Sequence, residues 1–412
     1  MAGMGSAGAA KGDGRAVGLL RGERSQQQAS FVELFLDLVV VFALNRVVAS
    51  SAAGLGSASA TEQWMALLRA LLLVLPLIWV WTVTAYGTAR FDPRGNEVQV
   101  VVLVTAFGVL LLGAAIPDAF GATALAFAVT YVALQAGRVL VLALTLRRHP
   151  LRRLYLAALF WFCVSAVPWF LGAVTAGVAG MLLWLLAIAI EYGAARIGWP
   201  APRLGRERIM AWAYAPEHLG DRYRQLLMIA LGEAILAVGI AYTDRSGFRS
   251  LTQTLGLLIA FLTTVLLWRI YAYKAGDLFG TAIEQAKDPA SLGRVAAGAH
   301  LLMIIGVVAT AAGHELVQTH PIGHTFPSWL AVIIGGPALY LAGRALLERV
   351  VFNRVSRPRL IGIAVLLLLT LPLAFAPPLA AVAAAPAVLL GIAVADIRRA
   401  AGRLPEAPAP PG

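Results

Sequence analysis

The amino-acid sequence predicts an all-α integral membrane protein of about twelve transmembrane helices, arranged as two parallel six-helix repeats. Three observations carry that expectation. First, 60% of the 412 residues are hydrophobic and only 13% are charged, with a mean hydropathy of +0.79; a water-soluble domain carries about a quarter charged residues. Second, twelve apolar stretches are long enough to cross hydrocarbon ~30 Å thick, which takes about 20 helical residues. Third, the basic residues gather on one side once those stretches are threaded across the membrane.

The spans follow in order. Residues 31–50 open on FVELFLDLVVVFAL, after a polar, Gly-rich leader. Residues 64–88 end in WTVTAY, 98–116 stop at Ile116-Pro117-Asp118, and 119–146 run up to the basic turn RRHP. The stretches 153–173 and 177–195 are divided by a soft break near Gly172. The later spans are 223–242, 251–273, 296–317, 328–347, 360–376 and 379–397, the last two separated by the Pro377-Pro378 turn. Trp64, Tyr155, Trp199, Trp268, Tyr273 and Trp329 fall at the expected membrane–water interfaces, as an aromatic belt would.

The formal charge of +12 suits a polyanion binder or a membrane protein. Placing each basic residue decides between them. With the N-terminus cytoplasmic, the two tails and the inner loops hold 28 of the 33 basic residues, counting Arg224, Arg269 and Arg344 at inner helix ends. The outer loops hold two, Arg245 and Arg249, and three lie within spans, Arg46, Arg69 and Arg138. That asymmetry places both termini inside, in a bacterial cytoplasmic membrane, and leaves no role for nucleic acid. The domains expected are a disordered cytoplasmic tail over 1–30, a first repeat over 31–195, a cytoplasmic linker over 196–222, a second repeat over 223–397 and a cytoplasmic tail over 398–412. The leader lacks the continuous apolar core of a signal peptide. Cys163 is the single cysteine, so no intrachain disulfide forms.

The repeat rests on ordered matches. WTVTAY (Trp81–Tyr86) closes span two and WRIYAY (Trp268–Tyr273) closes span eight. AGRVLVLALTLRRHPLRRL from Ala136 aligns with AGRALLERVVFNRVSRPRL from Ala342, matching Arg138 with Arg344 and Arg153 with Arg359. Spans one and seven each carry a buried acid. Six spans is an even number, so both copies run the same way, related by an axis along the membrane normal, and transport sites commonly lie between such halves.

Ionisable residues inside a span are costly, so they face a partner or a watery cavity. Glu33 and Asp37, four residues apart, share one face of span one. Glu233 lies near the middle of span seven, after Gly232, whose missing side chain admits a close neighbour; Arg222 lies on nearly the same helix face about three turns earlier. Depth pairs Arg138 with Asp37, and the repeat offers Arg344 to Glu233 or Glu348. These charges are either structural ion pairs or an ion or proton pathway. His300 is expected to be a satisfied polar contact in its helix. His218, with Glu217, Asp221 and Arg222 in PEHLGDR, forms either an inner gate or a capped helix start. His314, Glu315, His320 and His324 have ligand chemistry but no metal-site spacing, and no metal or cofactor is expected. No phosphate-binding loop, nucleophile elbow or dinucleotide fingerprint occurs, which disfavours an ATP-driven pump within this chain.

FVELFLDLVVVFAL (Phe31–Leu44) and PEHLGDRYRQLLMIALGEAILAVG (Pro216–Gly239) resemble the bacterial low temperature requirement protein A family, LtrA, with support from RFDP (Arg90–Pro93), IPDAFG (Ile116–Gly121) and QAGR (Gln135–Arg138). The resemblance spans about residues 30 to 400. It implies that Glu33, Asp37 and Glu233 fill the family's polar positions. Two departures are mild: Leu36 replaces a second Phe, and Asp221-Arg222 replaces a Glu-Arg pair. The resemblance implies no reaction.

Three functions fit the sequence. One is a transporter or channel passing a small solute or ion between the two halves, past the buried acids. Another is a membrane-embedded enzyme acting on lipid, and a third is a non-catalytic component that supports growth in the cold. The lipid bilayer is the one partner common to all three.

Overall fold

The computed structural model describes residues 28–206, 216–244, 248, 250–273, 275–401 and 407–410. Most of the expected N-terminal tail, residues 207–215 of the expected linker, residues 402–406 and 411–412 of the C-terminal tail, and the two basic residues assigned to outer loops, Arg245 and Arg249, lie outside the described residues.

Among the described residues the structure is all-α, with no strand beyond an isolated Ala201–Gly205 bridge. Its helices are α1 (Phe31–Leu55), α2 (Ala60–Arg90), α3 (Asn96–Ala115), α4 (Ala124–Thr145), α5 (Leu151–Val174), α6 (Gly177–Arg196), α7 (Pro216–Asp244), α8 (Leu251–Ala272), α9 (Ala275–Gln285), α10 (Pro289–Thr319), α11 (Pro327–Ile333), α12 (Gly335–Phe352), α13 (Arg357–Leu373) and α14 (Pro378–Ala400). Local chemistry sets several ends. Ser250 and Asp288 cap α8 and α10 by accepting from the backbone N–H of Gln253 and Ser291. Pro289, Pro327 and Pro378 open their helices, where a missing N–H costs nothing. Arg398 and Arg399 sit in the last turn of α14, at the negative end of its dipole.

Among the described residues ten helical stretches are long and apolar enough to cross a membrane, one of them α11 and α12 taken together as Pro327–Phe352. Two of the twelve expected spans are not among them. One falls on α1 and the other on α13, which has only 17 residues. The span expected over 328–347 is two helices, α11 and α12. Pro337 supplies no N–H to the Ile333 carbonyl, which loosens the helix at that joint. The break expected between 153–173 and 177–195 lies at Thr175–Ala176, just before Gly177 with a φ of 70°.

The chain divides into two compact units interleaved in sequence: Met1–Val40 with Leu75–Leu219, and Val41–Val74 with Gly220–Gly412. In the first, α4 lies against α3 and α5, and α5 against α6. Its core is aromatic. Trp169 and Trp184 lie 5.0 Å apart between ring centroids, and Phe127 stacks on Trp184 at 5.2 Å. Gly172 lets that cluster close, since a Cβ there would stand 2.4 Å from Trp184 Cδ1. In the second unit the most extensive contact joins α10 and α12. A Cβ on Gly306 would lie 2.6 Å from Tyr340 N, and one on Gly343 would lie 2.6 Å from Ala299 O, so the two backbones meet over small residues.

The expected aromatic belt is only partly a belt. Trp64 and Trp268 are exposed, but Tyr155, Trp199 and Trp329 are buried, and Trp329 Nε1 donates to Leu55 O at 2.8 Å.

Candidate functional site

The expected site residues divide between the units. Glu33, Asp37, Arg138 and His218 belong to the first, and Asp221, Arg222, Glu233, His300 and Arg344 to the second.

In the first unit the opening turn of α1 presents Glu33, which is fully buried. Its Oε2 accepts from Ser30 N at 2.8 Å and Ser30 Oγ at 2.9 Å, and its Oε1 lies 3.0 Å from His218 Nε2 on α7. His218 is equally buried, so the histidine expected at a gate or a helix start is one half of an interior carboxylate–imidazole pair. One turn further along α1, Asp37 Oδ1 accepts from Trp81 Nε1 at 2.9 Å.

Arg138 does not pair with Asp37. Its guanidinium donates to Val80 O at 3.1 Å and Thr84 Oγ1 at 2.7 Å, both on α2, and to Gln135 one turn back on its own helix. Depth alone suggested the ion pair, but the azimuth of α4 turns Arg138 onto the α2 backbone. Beside it lies a carboxylate outside the expected site. Glu191 on α6 is buried and accepts from Tyr131 OH at 2.6 Å, Ser165 Oγ at 2.8 Å and Trp169 Nε1 at 3.0 Å, with Gln135 Nε2 at 3.5 Å. A buried carboxylate met by several neutral donors is a structural anchor. The one signal available was its acid placed in an apolar run.

In the second unit Arg344 pairs with neither Glu233 nor Glu348. It donates from Nε to Ile270 O at 3.0 Å and from Nη2 to Tyr273 O at 2.6 Å, closing carbonyls at the end of α8 that the helix leaves unmet. Glu348 instead joins Arg359 at 3.3 Å, and Arg359 also grips Asp396 through two bonds of 2.8 Å. That buried fork ties α12, α13 and α14 together. His300 is satisfied, as expected. Its Nδ1 lies 2.8 Å from Ala296 O and its Nε2 lies 3.2 Å from Tyr271 OH, while Tyr223 stacks on the ring at 4.6 Å.

Asp221 and Arg222 begin α7. Asp221 accepts from Arg224 at 3.0 Å and Gln225 at 3.1 Å, and buried Arg222 donates to Gln225 Oε1 at 2.7 Å. Farther along, Glu233 is fully buried. Asn45 Nδ2 donates to its Oε1 over a long 3.4 Å, and its Oε2 has no partner. Gly232 provides no close approach, since a Cβ there would meet nothing within 4 Å. Glu233 is thus unlike the other buried acids, Glu33, Asp37, Glu191, Glu348 and Asp396, each of which has strong donors or a cationic partner. Among the described residues no group of three His, Cys, Asp or Glu side chains is placed to hold a metal ion.

Comparison with known proteins agrees with the sequence motifs. The family described as bacterial low temperature requirement A protein (LtrA) matches residues 28–394. An uncharacterized protein of Rhizobium meliloti (strain 1021) is 30% identical over 355 residues, covering 84% of each chain. No solved structure matches. With the match running from the start of α1 almost to the end of α14 and taking in Glu33, Asp37, His218 and Glu233, the chain belongs to the LtrA family of multi-pass helical membrane proteins.

Proposed function

We propose that this protein is a transporter or channel of the bacterial cytoplasmic membrane, carrying a small solute or ion past its buried acids, with Glu233 the acid that takes part. The observation that carries this reading is the Glu233 carboxylate. It lies mid-helix in an apolar span, without a cation and with one oxygen unpartnered. Such a group is costly inside a membrane and is kept for function by default.

The reading includes twelve spans, with α1 and α13 crossing alongside the ten long apolar helices, both termini cytoplasmic, and two parallel six-helix repeats. Arginine contacts support the repeat. Arg138 donates to Val80 O on the helix that carries WTVTAY, and its counterpart Arg344 donates to Ile270 O on the helix that carries WRIYA. Corresponding arginines therefore staple corresponding helices, each within its own unit.

Purified protein in liposomes, loaded with pH- and ion-sensitive dyes and challenged with a panel of gradients, tests the function. Gradient-dependent flux above that of protein-free vesicles is expected, and its absence for every gradient would remove the proposal.

A further inference from the structure

Glu233 has company in the second unit. Glu315 on α10 is half-buried and has no hydrogen bond or ion pair with any described residue, and α10 lies beside the helix of Glu233, its His300 stacked on Tyr223 of α7 at 4.6 Å. Next to it, His314 is buried with Nε2 unpartnered. One turn on, Gln318 and Gln253 of α8 exchange amide-to-carbonyl bonds of 3.2 Å each, leaving both Oε1 atoms buried without donors. Buried polar atoms nearly always find a partner, so several unmatched ones in one unit call for an explanation. The two acids also stand at different depths: Glu315 lies ~6 Å from the C-terminal end of α10, and Glu233 ~17 Å from that of α7, at 1.5 Å per residue.

We infer that Glu315 and Glu233 are successive proton carriers of one path that begins at the C-terminal end of α10, with Asn45 as the positioning residue for Glu233. This rests on the reading of Glu233 as the translocation group and names the proton as the ion. Asn45 holds one Glu233 oxygen and leaves the other lone pair to accept. A proton leaves the Glu315 carboxyl O–H for the Glu233 Oε2 carboxylate oxygen, and Glu233, now neutral, releases it onward to the far side of the path before it accepts the next; Glu315, now a carboxylate, takes up its next proton from water at the helix end. Among the described residues no three His, Cys, Asp or Glu side chains gather here as metal ligands. A proton needs a single lone pair.

Two measurements on the full-length protein test this. In liposomes with an internal pH dye and a potassium diffusion potential, the wild type is expected to pass protons. Glu315→Gln and Asn45→Ala are expected to slow the flux at least about tenfold, the scale of losing a positioned proton-transfer group, while Glu315→Asp keeps most of it. In detergent, carbodiimide labelling of Glu233, read by peptide mass spectrometry, requires no flux. It is expected in the wild type and in Glu315→Gln alike, with both eluting as the same folded species, and sodium or potassium is expected to give no protection. Proton flux unchanged in Glu315→Gln would overturn the path. Protection by sodium would overturn the proton as the ion while leaving translocation standing. Absence of all flux from a wild type whose Glu233 is labelled would sink both readings together.

Discussion

His218 Nε2 lies 3.0 Å from Glu33 Oε1, joining the first turns of α7 and α1 through two fully buried side chains. Removing one member takes a buried partner from the other, at a cost of up to about 3 kcal/mol where the pair is ionic. Glu33→Gln and His218→Ala are each expected to lower the thermal unfolding midpoint in detergent. The double variant is expected to lose less than the sum, with a coupling above about 0.5 kcal/mol. Additive losses would mean that the contact does not hold the two helices together.

Glu191 and Glu233 are expected to behave oppositely. Glu191→Ala leaves Tyr131 and Trp169 without their acceptor, at about 1–3 kcal/mol for each donor left unsatisfied, and leaves Ser165 only the Phe162 carbonyl. Its unfolding midpoint should fall and the emission of the Trp169–Trp184 cluster should change, while flux per folded molecule stays. Glu233→Gln removes a buried charge with little to hold it, so stability should hold or rise, as for functional groups retained at a cost. A strongly destabilised Glu233→Gln would make Glu233 a structural anchor like Glu191.

The two arginine staples should be matched in effect. Replacing Arg138 or Arg344 with Met removes the donors to Val80 O and to Ile270 O and Tyr273 O, and about 2 kcal/mol of stability should go with each. Denaturant unfolding compares them. A large loss for one and none for the other would argue against corresponding roles.

Glycines at the α10–α12 contact give a steric test. Gly306→Ala and Gly343→Ala place a Cβ within 2.6 Å of facing backbone atoms, and overpacking of that kind costs about 1–3 kcal/mol. Gly239→Ala on α7 meets nothing within 4 Å and should be neutral or stabilising by up to about 1 kcal/mol. Equal midpoints for all three would show that the contact is looser than described.

The helices were legible in the sequence because apolar length and flanking charge determine a span without any neighbour being known. The expected 153–173 and 177–195 correspond to Leu151–Val174 and Gly177–Arg196, and 251–273 to Leu251–Ala272. Helix α9 was missed inside an expected loop, although Ala275, Leu278, Phe279, Ala282 and Ile283 fall at the spacing of one helical face. The acids Glu33, Asp37 and Glu233 stood out against an apolar background. Their partners did not. Pairing Arg138 with Asp37 used depth, which sequence position gives; the rotation of α4 about its axis is fixed by tertiary packing, and it sends Arg138 to the α2 carbonyls. Glu191 and Asp396 were passed over because an acid near a span end resembles an interfacial residue, and only the fold brings Tyr131 or Arg359 to it.

Transport current through Glu233 variants on a supported membrane is the most direct test of the central role given to that carboxylate. Wild-type protein should give a current on an ion or pH jump, Glu233→Asp a reduced one, and Glu233→Gln none while eluting as the same folded species. An undiminished current from Glu233→Gln would contradict translocation through this acid.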